Sequence, residues 1–251
     1  MEEEGTLCAG RIWVLLPAYN EAKNLPEVLA GLDAMARTLP LRVLVVDDGS
    51  EDGTGEVAAS WRGPCAPLVV IHDRNRGLGA ALRMGLGALL DRCADGDIVI
   101  TMDADGSHRP VQIPQLVEAV RGGADVAIAS RYCRGSRVLG VPLPRRLLSQ
   151  GARLLLSLRF PMKGVRDYTC GYRSYRAALL RRARERYGER WIESSGFAAT
   201  AELLLSLQPF RPAVREIPIE LRYDLKRGKS KLPPLRTIRE YLRILMKTRV
   251  P

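Results

Sequence analysis

The stretch "VITMDADGSHRP", residues 99–110, runs a mainly apolar strand into two aspartates one position apart, Asp103 and Asp105. A carboxylate at the edge of an apolar core is costly unless a positive charge meets it. No lysine or arginine stands beside the pair in sequence, so either water solvates it or a cation that the chain does not encode sits there. Two carboxylates separated by one alanine at a strand end suit a hard divalent ion such as Mg2+ or Mn2+. Such an ion takes few protein oxygens and completes its shell with water and substrate phosphates. D-x-D is also a common solvated turn. Placement favours the ligand here, because an apolar run leads in and Gly106 then bends the chain.

Two further loops carry compatible groups. "VVDDGS" sets Asp47 and Asp48 at another strand end, with Ser50 in position to cap a helix opening at residues 50–54. The aspartates are equally suited to accept hydrogen bonds from a nucleobase or ribose. "PAYNE" sets Tyr19 and Glu21 just past the first strand, where an aromatic ring can support a base. Three such loops at one sheet edge indicate a nucleotide site. Neither G-x-x-x-x-G-K-[ST] nor a G-x-G-x-x-G in a first βα turn occurs, which excludes a P-loop phosphotransferase and a dinucleotide fingerprint. Gly77 and Gly79 are read as permitting close backbone approach at a helix start. His72 and His108 lack a second ligand at metal spacing, so no zinc site is expected.

The elements that must position these loops are legible in the first 130 residues. Short β-branched runs at Arg11–Pro17, Leu41–Ser50, Leu68–Asp73, Asp97–Asp105 and Ala124–Ser130 alternate with helical patterns, among them 24–39 and 78–91. Nearly continuous apolar strands between helices predict an α/β fold with a mostly parallel sheet covered on both faces. Ligands of such sheets bind beyond the carboxyl ends of the strands.

The 251 residues carry a formal charge of +11, distributed unevenly. Residues 1–130 have a net charge of −8 and residues 131–251 a net of +19. The basic half therefore faces an anionic partner, or is a solvated basic face. Residues 144–160 are helical by period, with Arg145, Ser149 and Arg153 on one side and Leu147, Leu148, Leu154, Leu155 and Leu158 on the rest. Near the end, Leu235, Ile238, Tyr241, Leu242 and Leu245 form an apolar stripe opposite Arg236, Arg239, Arg243 and Lys247. Such helices suit the surface of an anionic bilayer, or docking on their own domain. The acidic "MEEEGTLCAG" is unlike a signal peptide, and no apolar run approaches a spanning length. Five cysteines without metal spacing (Cys8, Cys65, Cys93, Cys133, Cys170) are expected to be reduced thiols in a cytoplasmic protein attached to a membrane from its cytoplasmic face. With aromatics at 6% and none interleaved with the basic residues, no nucleic-acid partner is expected.

The ordered set "LLPAYNEAKNLP", "VVDDGSEDGT", "NRGLGAALRMG", "DIVITMDADGSHRPVQIP", "ADVAIASRY", "DYTCGYRSYR" and "RGKSKL" closely resembles the family 2 glycosyltransferases of GT-A fold. Within them it is most similar to the dolichol-phosphate (polyprenol-phosphate) mannose synthases. The resemblance spans about Ile12 to Leu232. It implies a catalytic domain over 1–232, with a nucleotide-sugar half at about 11–130 and an acceptor half at about 131–232, followed by the amphipathic helix over 233–251 that the apolar stripe predicts. It implies transfer of mannose from GDP-mannose to a polyprenyl (dolichyl) phosphate with inversion, using Mg2+ or Mn2+. Pro17, Tyr19, Glu21, Val46 and Asp48 would contact the nucleotide, and Asp103 and Ala104 the nucleotide and sugar. Asp105 would hold the metal, with Asp103 and Ser107 as further ligands. Arg131 and Lys231 would grip phosphates, and Arg131, Arg145 and Ser149 the acceptor phosphate. Departures are Gly106 and Arg109 within the D-A-D motif and the lack of a tail arginine at the usual offset, for which Arg227 is preferred over Arg222. UDP-glucose as donor, a soluble acceptor, and a non-catalytic nucleotide-sugar-binding protein remain as alternatives.

Overall fold

The computed structural model describes residues 10–227 and 233–246. From the start, β1 (Ile12–Ala18), α1 (Leu25–Ala36), β2 (Leu41–Asp47), α2 (Thr54–Ser60), β3 (Leu68–Ile71), α3 (Leu78–Leu90) and β4 (Ile98–Thr101) alternate strictly. The series continues through α4 (Ile113–Arg121) and β5 (Val126–Ser130). The basic half contributes β6 (Arg137–Leu139), α5 (Leu143–Arg159), β7 (Arg173–Arg176), α6 (Ala177–Tyr187), α7 (Ala199–Ser206), β8 (Val214–Pro218), β9 (Glu220–Arg222) and α8 (Pro234–Met246).

Seven strands form one sheet in the order β3-β2-β1-β4-β7-β5-β8. Neighbours run parallel except that β7 is antiparallel to both β4 and β5. The mostly parallel sheet is thus present, with one reversed strand from the basic half wedged into it. Central strands read as apolar runs because helices cover both faces: every residue of β4 and β5 is buried. β3, at the edge, exposes Leu68 and Ile71 instead. A second, two-stranded ribbon pairs β6 with β9.

Local punctuation differs from expectation at two places. β4 ends at Thr101, so Asp103 and Asp105 lie in the loop beyond the strand rather than inside it. Ser50 does not cap α2, whose N-cap is Gly53 in a left-handed conformation. Ser50 is instead drawn back to Asp47, which accepts from its N–H and its hydroxyl.

The two basic helices are half-embedded. α5 buries only Ala152 and Leu156, leaving Leu143, Leu147, Leu154, Leu155 and Leu158 exposed. α8 packs beside α5 and buries Thr237, Glu240, Tyr241 and Ile244. The terminal apolar stripe is therefore split: Tyr241 faces inward, whereas Leu235, Ile238 and Leu242 stay outside. No helix among the described residues is long and apolar enough to cross a membrane. Cys65, Cys93, Cys133 and Cys170 are free thiols.

Candidate active site

Loops after β1, β2 and β4 converge on a cavity of about 200 Å³. Pro17, Tyr19, Glu21, Asp48, Asp103, Ala104 and Asp105 line it from the first half. Lys226, Arg145, Arg236 and Glu240 close it from the second. Val46 is not among these residues; its side chain is fully buried in the core of β2. The β2 loop is held from within. Asp48 accepts from the backbone N–H groups of Arg76 (2.9 Å) and Gly77 (2.8 Å), and sits 2.6 Å from His72 Nδ1. His72 is thereby a structural partner. Asp48 fixes the turn that opens α3 while presenting one edge to the cavity.

The Asp103–Asp105 loop turns at Gly106, which adopts φ +78°, a conformation open to glycine. Asp105 is buried, and every oxygen of it has a partner. Oδ1 accepts from the Ser107 N–H (3.0 Å) and the Ser107 hydroxyl (2.6 Å). Oδ2 accepts from Lys226 Nζ at 2.6 Å. The absence of a nearby cation, expected from the sequence, is thus corrected: Lys226, 121 positions away, supplies one. Burial alone would raise the Asp105 pKa, but the Lys226 charge and hydrogen bonds from Lys226 and Ser107 outweigh it and hold the carboxyl at about 2. Asp103 is more open, and its backbone N–H donates to His108 Nδ1 (3.0 Å).

The donor chemistry fits a hard divalent ion. Asp103 and Asp105 offer carboxylate oxygens, and an ammonium already stands where Asp105 attracts positive charge. Ser107 spends its hydroxyl on Asp105 and so orients that carboxylate. No group of three or more His, Cys, Asp and Glu able to hold a metal gathers among the described residues, so an ion on these two aspartates would need water or substrate oxygens to complete its shell.

A second cavity, about 90 Å³, adjoins the first and shares Asp103 and Arg145 with it. Arg131, Arg145, Ser149 and Thr169 converge there. The helical spacing of Arg145 and Ser149 brings both to it. Arg153, one turn on, instead donates to the Arg166 carbonyl and covers the Tyr132 ring. Arg131 is clamped by the fully buried Asp167, through Nε to Oδ2 (2.8 Å) and Nη2 to Oδ1 (2.6 Å), and Nη2 also donates to Thr169 Oγ1. Burial opposes both charges. Each nevertheless stabilises the other, so Arg131 is pushed up and Asp167 down. Ser149 and Thr169 hydroxyls lie 3.0 Å apart. Arg145 donates to the Tyr223 hydroxyl (3.1 Å) and rests over its ring.

At the tail, Arg227 does not enter the cavity. Its backbone N–H and carbonyl bond to the Asn24 side chain, and its guanidinium donates to the Lys23 carbonyl. Arg222 pairs with Asp224 outside. From this stretch Lys226 lines the cavity instead, and its place one residue before Arg227 was the available signal. Lys231 lies outside the described residues.

Residues 13–186 match the profile described as Glycosyl transferase family 2. The chain belongs to that family. Undecaprenyl-phosphate mannosyltransferase of Micrococcus luteus is 35% identical over 224 residues, 88% of this chain and 87% of that protein. Polyprenol monophosphomannose synthase of Mycolicibacterium smegmatis is 36% identical, over 83% of this chain and 76% of its own length. Dolichol-phosphate mannosyltransferase of Pyrococcus furiosus is 32% identical over 93% of this chain, which spans only 62% of that relative. Among solved structures, glucosyl-3-phosphoglycerate synthase from Mycobacterium tuberculosis, in complex with Mn2+, UDP and glucosyl-3-phosphoglycerate, superposes with a TM-score of 0.66 at 22% identity, covering 94% of this chain and 77% of that one. The fold of this glycosyltransferase is GT-A. Residues that sequence reasoning missed cluster around those it found: Lys226 on Asp105, Asp167 behind Arg131, Thr169 beside Ser149 and Tyr223 under Arg145. Asp167 and Thr169 stand inside the motif "DYTCGYRSYR", but only the fold shows what they touch.

Proposed function

We propose that this glycosyltransferase moves mannose from GDP-mannose to a polyprenyl phosphate, inverting the anomeric carbon. The observation that carries the reading is the paired cavity: a pocket lined by Glu21, Asp48, Asp103 and Asp105 beside a cationic, hydroxyl-lined one, with Asp103 and Arg145 common to both. The names of the mannosyltransferase relatives support mannose and a polyprenyl phosphate.

Tyr19, Glu21 and Asp48 bind the nucleoside, and Asp103 and Ala104 the sugar end of the donor. Asp103 and Asp105 would hold Mg2+ or Mn2+, which would supply Lewis-acid stabilisation of the charge on the departing diphosphate. Ser107 orients Asp105. Arg131, Arg145, Ser149 and Thr169 gather the acceptor phosphate and hold one of its oxygens in line with the anomeric carbon. A phosphate monoester has a second pKa of about 6 and is already mostly ionised near neutrality, so no side chain need remove its proton. Asp167 keeps Arg131 aimed. The exposed leucines of α5 and α8 hold the lipid tail and an anionic bilayer surface at the cytoplasmic face.

Incubation with labelled GDP-mannose or UDP-glucose and a short polyprenyl phosphate, followed by organic extraction, tests this. Label from GDP-mannose is expected in the lipid phase for the wild type and not for Asp105→Ala. Label from UDP-glucose alone would replace the donor, and no lipid label from either would overturn the reading.

A further inference from the structure

Asp105 raises a problem for its own metal. A carboxylate that is to receive a divalent ion is expected to keep an oxygen available, yet both of its oxygens are engaged within the chain. The Lys226 ammonium lies against Oδ2, with both side chains more than nine-tenths buried. Two cations cannot share that position, since at a few ångströms in a poorly solvated site their repulsion is large.

The backbone that carries Lys226 is fixed. Arg227 N–H donates to Asn24 Oδ1 and Asn24 Nδ2 donates to the Arg227 carbonyl, each at 3.1 Å. Asn24 Nδ2 also donates to Glu21 Oε2 (2.6 Å) at the cavity wall. A displaced Lys226 therefore keeps its Cα at the cavity edge and can only swing its four-carbon stem. The acidic residues nearest to it there, Glu21, Asp103 and Asp105, keep the ammonium inside the pocket. The nearby Tyr223 ring, 5.6 Å from Nζ, is the other wall of its path.

We infer that Lys226 is an internal counter-cation that holds the Asp105 metal position until a nucleoside diphosphate arrives, and then moves onto the diphosphate oxygens. This rests on the donor reading given above. Metal alone must displace an ammonium that gains nothing in return. Metal together with a nucleoside diphosphate brings anionic oxygens that accept the displaced lysine. Metal and nucleotide binding are thereby coupled by Lys226 itself, and the positive charge beside the leaving group rises only when the donor is present.

Mn2+ binding to the full chain, followed by the free-ion paramagnetic resonance signal with and without GDP, tests the inference without any turnover. For the wild type, Mn2+ alone should bind weakly and GDP should tighten it by roughly a hundredfold. Lys226→Met should bind Mn2+ alone about tenfold more tightly and lose most of the GDP effect, whereas Lys226→Arg, which keeps the charge, should follow the wild type. An unchanged Mn2+ affinity in Lys226→Met, or tight metal-only binding in Lys226→Arg, would overturn the lysine's role alone. A wild type whose Mn2+ binding responds to neither GDP nor UDP removes the donor reading, and the inference with it. Should Lys226→Met not fold, carbon-13 methylated lysines in the wild type decide: the Lys226 resonance must move when Mg2+ and GDP are added together, and a fixed resonance refutes the swing.

Discussion

Asp167→Asn isolates what holds Arg131 in the second cavity. The Asp167 carboxylate is fully buried and accepts five hydrogen bonds: three from Arg131, through its N–H, Nε and Nη2, and one each from the backbone of Thr169 and Cys170. The amide keeps one acceptor but removes the charge and aims an N–H2 at donors. Arg131 is then a largely enclosed guanidinium without a counter-ion, a loss of about 3–5 kcal/mol. For a chain of this length the unfolding entropy is about 0.5 kcal/mol per kelvin, so the melting temperature should fall by about 6–10 °C at pH 7. The pH dependence has a definite sign. Burial would raise the Asp167 pKa, but Arg131 outweighs it and sets the folded value below the usual carboxylate range. Its stabilisation is therefore complete above about pH 4 and is lost as the pH falls through the folded value. Scanning calorimetry of both chains from pH 7 downward should show a full deficit at neutrality that narrows below about pH 4. A variant melting within a degree or two of the wild type at pH 7, or a deficit that grows in acid, would refute the clamp.

Arg145→Ala should raise the KM for a polyprenyl phosphate by at least about tenfold and that for GDP-mannose far less, because a charge-assisted contact to the acceptor is lost; equal effects in steady-state kinetics would make the arginine structural. At Gly79 a Cβ would lie 1.7 Å from the Ser194 carbonyl oxygen, so Gly79→Ala should cost about 1–3 kcal/mol and lower the melting temperature by about 2–6 °C. Gly87→Ala in the same helix, where nothing lies within 4 Å, should be neutral or stabilising by up to about 1 kcal/mol, and the reverse ranking would show the loop after α6 to be adjustable. Leu154→Glu with Leu158→Glu, at side chains 59% and 72% exposed, should reduce partition onto anionic vesicles by at least about tenfold while leaving the melting temperature unchanged. Undiminished co-sedimentation would remove this face from the membrane reading.

Elements whose signal is local were legible. β1, β2 and β5 are apolar runs, and α3 and α5 follow their periodicity to within a residue. The three loops that carry Tyr19, Asp48 and Asp103 follow because parallel strands deliver their carboxyl ends to one edge. Val46 was assigned by resemblance; its side chain is buried in β2, so only its backbone could meet a ligand. Tyr241 was read as part of one apolar stripe, facing a bilayer or the chain's own domain, and period alone cannot say which flank of a helix meets its neighbour.

The chain's own residue order settled the alternation of strands and helices, the sheet edge that carries the candidate site, and the segregation of acidic and basic halves. These depend on spacing within a few turns or strands, which the covalent chain preserves. Charge pairing was decided only in three dimensions. Asp105 meets Lys226 across 121 positions, Arg131 meets Asp167 across 36, and the strand that joins the two halves enters the sheet reversed. Coulomb and hydrogen-bond energies act over a few ångströms of space irrespective of sequence distance, so the partner of a buried charge emerges only once the backbone has closed around it.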